Sequence, residues 1–576
     1  MKKNILNLKN IFLASTMVAA LFLGSCDRGF GEMNQNPMNP TGTDIGPMFN
    51  GVVSTLRWNS NEQFYLWNEI FYPETELGAL TSEAWGNYSI GVDAVWNDYY
   101  LALANIHDID RRLDEMCEKS GDIEIDDKVR AQLIVLEAYK TFKVTDMFGD
   151  IPYSEAGYIW YDTEANRKPK YDTQESIYKT VLSELVWARE ILIGGAATTS
   201  LGNQYYSLGA YDVMYHNDYN KWGKIANSLI LRHGMRMRDK DPGFADTLLQ
   251  TAYNKPVIDD YYYSGNGAFA LWPQYLGNTF GDEGWSFREH KNLRMGETVF
   301  AQMSRPTETV DNRIFDPRVY VFFDTNNKTA DYPEGAWRAY PQMKDKDAST
   351  PTEGGSPYSS ARDKNYGFKG PACLYSPFNF YLIRDHVFVP QIMISPAEIC
   401  FIKAEMIARG IVPGGLGMAL EEAIRNGIKN SFYMWMQLPL YGTEATYKYI
   451  YPELQAILDA GGDLWSVSDA YASQIMNEMV YLDYSFMYDE QSYLEFIYQQ
   501  RWLDLFRQAN EAWNLARRTK DTGATTPTTI DHKKLVTYRL PYPQSEVTYN
   551  YDNYNEQVKK MSHGDTRNTK VWWMAD

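Results

Sequence analysis

Between residues 95 and 117 the apolar positions Val95, Tyr99, Ala102, Ile106, Ile109 and Leu113 recur at three- and four-residue spacing, the mark of one helical face. Val129, Leu133, Leu136, Tyr139 and Phe142 repeat the pattern. That second helix is predicted to stop in the run Phe148-Gly149-Asp150-Ile151-Pro152, because Gly149 can take a left-handed cap and Pro152 cannot continue a helix. Further helices are predicted over 174–193, 221–239, 396–409, 418–436 and 489–520. Helix pairs joined by turns suggest a tetratricopeptide-type array, although no fixed-period repeat is legible from residue identity. Residues 254–394 break the pattern, being dense in Gly, Pro, Asn and aromatics. Loops of that length are uncommon inside compact domains and are often functional. The fold class expected is therefore mainly α: a tetratricopeptide-like helical scaffold with an inserted irregular, loop-rich lobe containing a few short strands.

The N-terminus carries a different signal. Lys2, Lys3 and Lys9 precede an apolar run from Ile11 to Leu23. The run is too short for a bilayer span of roughly 20 residues, and it has the layout of a secretory leader. Leu23-Gly24-Ser25-Cys26 then has the form of a bacterial lipobox, which predicts cleavage before Cys26 and acyl chains, palmitate among them, on that cysteine. A leader with a fortuitous cysteine is the alternative. The expected organisation is a signal peptide at 1–25, a lipidated tether at 26–47, a first helical part at 48–253, the variable lobe at 254–394 and a second helical part at 395–576.

Charge narrows the partners. The 576-residue chain has a formal net charge of −19, and the leader carries three lysines and no acid, so the remainder stands at −22. Such a body is repelled by phosphate backbones, which excludes nucleic acid as the main partner. Cys117, Cys373 and Cys400 are widely spaced and odd in number, so neither a disulfide framework nor a metal clamp is expected; each reads as a small buried hydrophobe. The 44 Tyr, 25 Phe and 16 Trp are unusual, and the excess of Tyr points to rings at wet boundaries that suit sugar or peptide ligands. No two of the seven histidines have metal-ligand spacing, and there is no nucleophile elbow or P-loop. No cofactor and no metal are expected, calcium included, since no EF-hand spacing is present.

At several separated places the chain resembles the SusD/RagB family of outer-membrane nutrient-binding lipoproteins. The opening Cys26-Asp27-Arg28-Gly29-Phe30 followed by Asn34-Gln35-Asn36-Pro37 is similar to the family's start. Trp96-Asn97-Asp98-Tyr99-Tyr100, Asp146 to Tyr153, Trp222 with Ala226 to Arg232 and Arg236, and Pro396-Ala397-Glu398 with Lys403-Ala404-Glu405 follow in the family's order. Gln500 to Phe506, Glu511-Ala512-Trp513, Arg517-Arg518, Arg539 to Glu546 and Val571-Trp572-Trp573 complete the likeness. These signatures read as scaffold. Arg232 and Arg236, one turn apart, are expected to pin buried carboxylates or carbonyls; Asp146 or Asp150 is expected to bond free backbone donors. Trp96, Trp502, Trp513, Trp572 and Trp573 are expected in the core or at docking contacts.

The resemblance implies a non-catalytic surface lipoprotein that captures a nutrient, most simply a glycan, and passes it to a TonB-dependent outer-membrane channel of SusC type. It is tied to the membrane through lipid at Cys26 and probes the cell exterior. Neutral sugars lay their C–H faces on aromatic rings. The family's ligand surface is commonly fed by a loop in the place of residues 80–88, which selects Trp85 and Tyr88; Trp285 and Trp337 are the choices from the lobe, with Trp272 and Tyr275 weaker. Asp282, Glu283 and Arg338 are candidate hydrogen-bonding partners. The alternatives are a peptide-binding lid of the same kind of channel, a surface glycosidase, and a lid with no ligand of its own.

Overall fold

The computed structural model describes residues 45–81, 86–158, 160, 163–195, 197–258, 286, 290, 292–304, 316–325, 337–341, 374–379, 392–437, 460–478, 489–519 and 535–574. Cys26, Trp85, Trp272, Tyr275, Asp282, Glu283, Trp285 and Cys373 lie outside the described residues. The main scaffold helices are α1 (Ile45–Ser54), α2 (Tyr88–Ser120), α3 (Asp127–Phe148), α4 (Gln174–Leu192), α5 (Tyr219–Met237), α6 (Pro242–Tyr253), α7 (Pro396–Ala408), α8 (Met418–Gln437), α9 (Leu464–Glu478), α10 (Glu490–Asp504), α11 (Ala509–Thr519), α12 (Gln544–Tyr549) and α13 (Tyr551–Lys560).

Sequence-adjacent helices pack in series, α2 on α3, α3 on α4, α4 on α5 and α5 on α6, then α7 on α8 and α8 on α9. This is the expected tetratricopeptide-like, mainly helical fold. The reason each helix begins where it does is local. Thr173, Asp218, Asp241, Ser395 and Asp489 cap α4, α5, α6, α7 and α10, each accepting an N–H from the first turn. Helix α2 buries Val92, Val95, Trp96, Tyr99, Leu103, Ile106 and Leu113 on one face and ends at Gly121, whose φ of 73° is the left-handed cap. Helix α3 is buried on almost every side because α2, α4 and α5 surround it. It ends at Gly149, with φ 77° and its N–H on the Thr145 carbonyl at 2.7 Å.

One helical expectation changes, and one element was not expected. The helix predicted over 489–520 is broken by a 3₁₀ turn at Leu505–Arg507 and by Gln508 at φ −128°, ψ 61°. The break lets both halves point acids inward: Asp504 accepts from the Ser395 hydroxyl and Glu511 takes Arg236. Between α1 and α2 lies a nine-residue π-helix, Gln63–Phe71, buried along its whole length except at Tyr65. Its wide turns are rare at this length. Phe71 stacks on Trp513 with centroids 4.6 Å apart, which carries the π-helix onto α11.

The strands are short. β1 (Ala79–Leu80) pairs antiparallel with β4 (Leu293–Arg294), and β2 (Ile151–Pro152) with β3 (Tyr171–Asp172). The first pair joins the scaffold to a segment from within 254–394. Arg318 of the same region is fully buried and bridges Asp316 at 2.7 Å, the Ser431 hydroxyl of α8 at 3.0 Å and Gln500 of α10 at 2.9 Å. Phe322 stacks on Phe506, centroids 4.1 Å apart.

A buried charge network locks the helices together. Arg232 of α5 pairs with Glu398 of α7, and Arg236 pairs with both Asp146 of α3 and Glu511 of α11. Glu405 of α7 receives both Nη atoms of Arg518 at 2.7 and 2.8 Å. The arginines therefore pin carboxylates, as expected. Asp146 accepts from Arg236, the Tyr178 hydroxyl and the Trp573 indole at 2.8 Å, all side chains. Asp150 does accept a backbone donor, the N–H of Gln174 at 2.8 Å. Trp96, Trp502, Trp513 and Trp573 are core residues, whereas Trp572 is only half-buried. Cys117 and Cys400 are also half-buried and unbridged, more open than a core assignment requires.

Candidate functional site

Tyr88 is the first residue of α2 and stands half-buried where the 80–88 segment enters that helix. Gly86 just before it has φ 76°, a left-handed conformation that a Cβ disfavours, and turns the chain into the helix. The Arg567 guanidinium lies over the Tyr88 ring, 5.6 Å from its centroid. At that distance the cation and the ring face attract.

Arg567 has a firm base. Its Nη1 donates to the Thr537 hydroxyl at 3.4 Å, and Thr537 is clamped by Glu74. The Glu74 carboxylate accepts the Val536 and Thr537 N–H groups at 3.1 and 2.8 Å and the Thr537 hydroxyl at 2.6 Å. Burial raises the Glu74 pKa, and those donors together with Arg567 work against the rise. Ile90 and Val536 are exposed apolar side chains within two residues of Tyr88 and Thr537 respectively. The result is a ring, a cation and aliphatic surface held on rigid elements. Sequence reasoning selected Tyr88 and missed Arg567, Glu74 and Val536, since their proximity depends on contacts between distant segments.

The β1–β4 ladder pairs described residues on the N-terminal side of the Trp85 loop with described residues beyond Trp285. Ala79 and Leu80 pair with Arg294 and Leu293, and the Thr81 N–H donates to the Asn292 carbonyl at 2.9 Å. Thr81 and Gly86 bracket the residues that include Trp85. On the other side Ser286, next to Trp285, is buried, and its carbonyl accepts from Asn68 of the π-helix at 3.4 Å. His290 is buried beside Glu69, with Nε2 3.7 Å from Oε1. The anchors of both loops therefore converge on the π-helix and the ladder.

Trp337 requires a correction. It is only 6% exposed and packs edge-on against Tyr320, with centroids 5.3 Å apart. The backbone around it is tied down, Arg338 N–H to the Ser376 hydroxyl at 2.9 Å and Tyr340 N–H to the Met295 carbonyl at 2.8 Å. A side chain so enclosed is a packing residue of the lobe, not an open platform. Its neighbour Arg338 is exposed, with its guanidinium 5.2 Å from the Tyr375 ring centroid.

A separate cleft of about 400 Å³ opens among α2, α3, α4 and the segment after β2, lined by His107, Glu137, Tyr153, Tyr158 and Glu184 among others. The Tyr153 hydroxyl donates to Glu137 at 2.9 Å, and Tyr158 stacks on His107 with centroids 4.1 Å apart. Burial, with Glu184 nearby, pushes the Glu137 carboxyl up to about 7, while burial drives the His107 imidazole down to about 4. Among the described residues no group of three or more His, Cys, Asp or Glu side chains forms a metal site. No helix among the described residues is long and apolar enough to cross a membrane.

Comparison with known proteins gives a consistent result. The model of a SusD-like family, described as "Starch-binding associating with outer membrane", matches residues 41–543. Among solved structures, one described as a chitin-binding protein superposes with a TM-score of 0.63 at 19% identity, covering 92% of this chain and 100% of its own. A SusD homolog from Parabacteroides distasonis gives a TM-score of 0.63 at 18% identity, covering 92% and 98%. A chitin-binding SusD homolog from Flavobacterium johnsoniae gives 0.57 at 18% identity, covering 92% and 99%. No curated protein matches the chain.

Proposed function

The chain belongs to the SusD-like family, whose members are non-catalytic carbohydrate-binding proteins associated with the outer membrane, and on that premise we propose that it captures a glycan at the cell surface and delivers it to a TonB-dependent SusC-type channel. The capture surface is the one around Tyr88, completed by Trp85 and by Trp285 from the lobe. Cys26 carries the lipid that holds the protein to the membrane, facing the exterior.

The observation that supports this reading most is the half-buried Tyr88 ring under the Arg567 guanidinium at the start of α2, directly after the loop that includes Trp85. The exposed part of the half-buried Tyr88 ring offers a sugar apolar contact, and Arg567, over one of its faces, supplies donors for hydroxyl groups. Similar structures described as chitin-binding make an N-acetylated glucosamine polymer a sensible first ligand class to test.

Calorimetry with a panel of neutral oligosaccharides, chitin fragments included, against a panel of peptides tests the proposal. Saturable binding of a glycan, weakened about tenfold or more in Tyr88→Ala and in Trp85→Ala, is expected. Binding confined to peptides would replace the reading by the peptide lid, and release of shortened sugars would replace it by a glycosidase.

A further inference from the structure

The guanidinium at the Tyr88 surface is only partly used by the protein itself. Half-buried Arg567 donates from Nη1 to the Thr537 hydroxyl at 3.4 Å and lies 5.6 Å from the Tyr88 ring centroid. Its Nε and Nη2 bond nothing among the described residues and neither is a buried atom, so solvent and a ligand reach both. We propose that this surface selects a glycan carrying a carboxylate, a uronate unit held by the Nε–Nη2 edge of Arg567; the inference rests on the glycan-capture reading and names its substrate class.

The free edge decides the chemistry. Nε–H and Nη2–H leave a planar guanidinium side by side, spaced to meet the two oxygens of one carboxylate. A sugar hydroxyl engages one of them, whereas a carboxylate takes both, and hydrogen bonds to an ionised acceptor are roughly twice as strong as neutral ones. A uronate carries its carboxyl directly on a ring carbon. A pyranose in contact with Tyr88 therefore keeps that group close to the guanidinium, while a sulfate ester hangs from a longer, rotating arm. The backbone behind the edge is fixed: the Tyr538 N–H donates to the Arg567 carbonyl at 2.7 Å, and the Thr537 hydroxyl donates to Glu74 at 2.6 Å.

Glu74 is the carboxylate that Arg567 acts on, and it offsets part of the cation's charge without occupying the free donors. It is 5% exposed, and its oxygens accept from Val536, Thr537 and the Thr537 hydroxyl. Burial raises its pKa, and the Thr537 hydroxyl and the two N–H groups oppose that rise more than Arg567 does. Asp565, two residues before Arg567, accepts from Arg539 at 2.7 Å. No carboxylate among the described residues forms an ion pair with Arg567, in a chain whose 74 acids outnumber its 55 Lys and Arg. The preference thus comes from two open donors on a cation, not from a local excess of positive charge.

Calorimetry on the full chain compares tetrasaccharides of hyaluronan, unsulfated chondroitin, alginate and polygalacturonate, each beside its carboxyl methyl ester, with sulfated chitotetraose as the other anion. The ester keeps ring, linkage and length and removes the charge. In about 0.15 M salt at least one uronate tetrasaccharide is expected to bind about tenfold or more tightly than its ester. Arg567→Gln should bring that acid and its ester within about twofold of each other, and Arg567→Lys, which keeps the charge and loses the fork, within about fourfold. Sulfated chitotetraose binding more tightly than every uronate, or a tenfold acid preference surviving in Arg567→Gln, would overturn the proposal. Esters that bind as tightly as the acids and are weakened in Tyr88→Ala would leave glycan capture standing and sink this inference alone. No binding of any saccharide would sink both.

Discussion

Replacing Glu405 by Gln tests whether the buried ion network holds the scaffold together. The carboxylate is fully buried on α7 and receives Arg518 through both Nη atoms, Arg409 Nε at 3.3 Å and the Tyr498 hydroxyl at 2.8 Å. Burial alone would raise its pKa, but Arg518, Arg409 and Arg501 outweigh burial and hold it at about 2, against 4.5 for an ordinary glutamate. That depression corresponds to about 3 kcal/mol of stability at neutral pH. Breaking a buried pair from one side costs about 3–5 kcal/mol by general experience, so the two routes agree. The Gln side chain keeps the volume but leaves three guanidinium groups facing one another without an anion. Urea unfolding near pH 7 should show Glu405→Gln less stable by about 3–4 kcal/mol. A depressed carboxyl stabilises above the unfolded pKa and loses that contribution as pH falls toward the folded one. The deficit should therefore be flat from pH 7 to about 4.5 and shrink by about 2 kcal/mol by pH 3. A deficit under about 1 kcal/mol near neutrality, or one equally large at pH 3, would refute the reasoning.

Three further outcomes follow from particular residues. Gly149→Ala should destabilise by about 1–3 kcal/mol, because φ is 77° although the nearest atom to an added Cβ, Val571 Cγ1, lies 3.7 Å away; thermal melts read this directly. Trp337→Ala should cost about 3–5 kcal/mol in unfolding and leave glycan affinity unchanged in calorimetry, as befits a packing residue. Glu137 is held protonated up to about pH 7, so it contributes stability below pH 4.5 that disappears as pH rises through 7. Relative to Glu137→Gln, the wild type should thus lose up to about 3 kcal/mol across that window in pH-dependent unfolding, less to the extent that water reaches this half-buried group.

Much of the scaffold is legible in the sequence because its helices are locally punctuated. The apolar stripe of α2 and the Gly149–Pro152 exit of α3 are set by neighbours a few residues apart. The π-helix at Gln63–Phe71 is not readable in that way, since Phe64, Leu66, Trp67, Ile70 and Phe71 recur at the three- and four-residue spacing of an ordinary α-helix and nothing in it marks the wider turn. The break at Leu505–Arg507 likewise has no Gly or Pro to announce it; it is imposed by Ser395 and Arg236, which lie 109 and 275 residues from Asp504 and Glu511. Helices α12 and α13 are rich in Tyr, Asn and charge, so their packing side is not marked by hydrophobicity.

The site was legible only in part. The Gly335-Ala336-Trp337-Arg338 run has the composition of a surface loop, yet Tyr320 and the Ser376 bonds enclose Trp337. Tyr88 was reachable because the family resemblance puts a ligand loop in the place of residues 80–88. Arg567 was not, because nothing in the polar Gly564-Asp565-Thr566-Arg567 run signals that it meets a ring nearly the whole chain away.

The central claim is that the surface around Tyr88 holds a glycan. A crystal structure of the full chain soaked with the tightest-binding oligosaccharide from the panel tests it most directly. The account predicts a sugar ring within about 4 Å of the Tyr88 side chain, with Arg567 hydrogen-bonded to its hydroxyls. An oligosaccharide bound at another surface, with Tyr88 and Arg567 untouched, would contradict it.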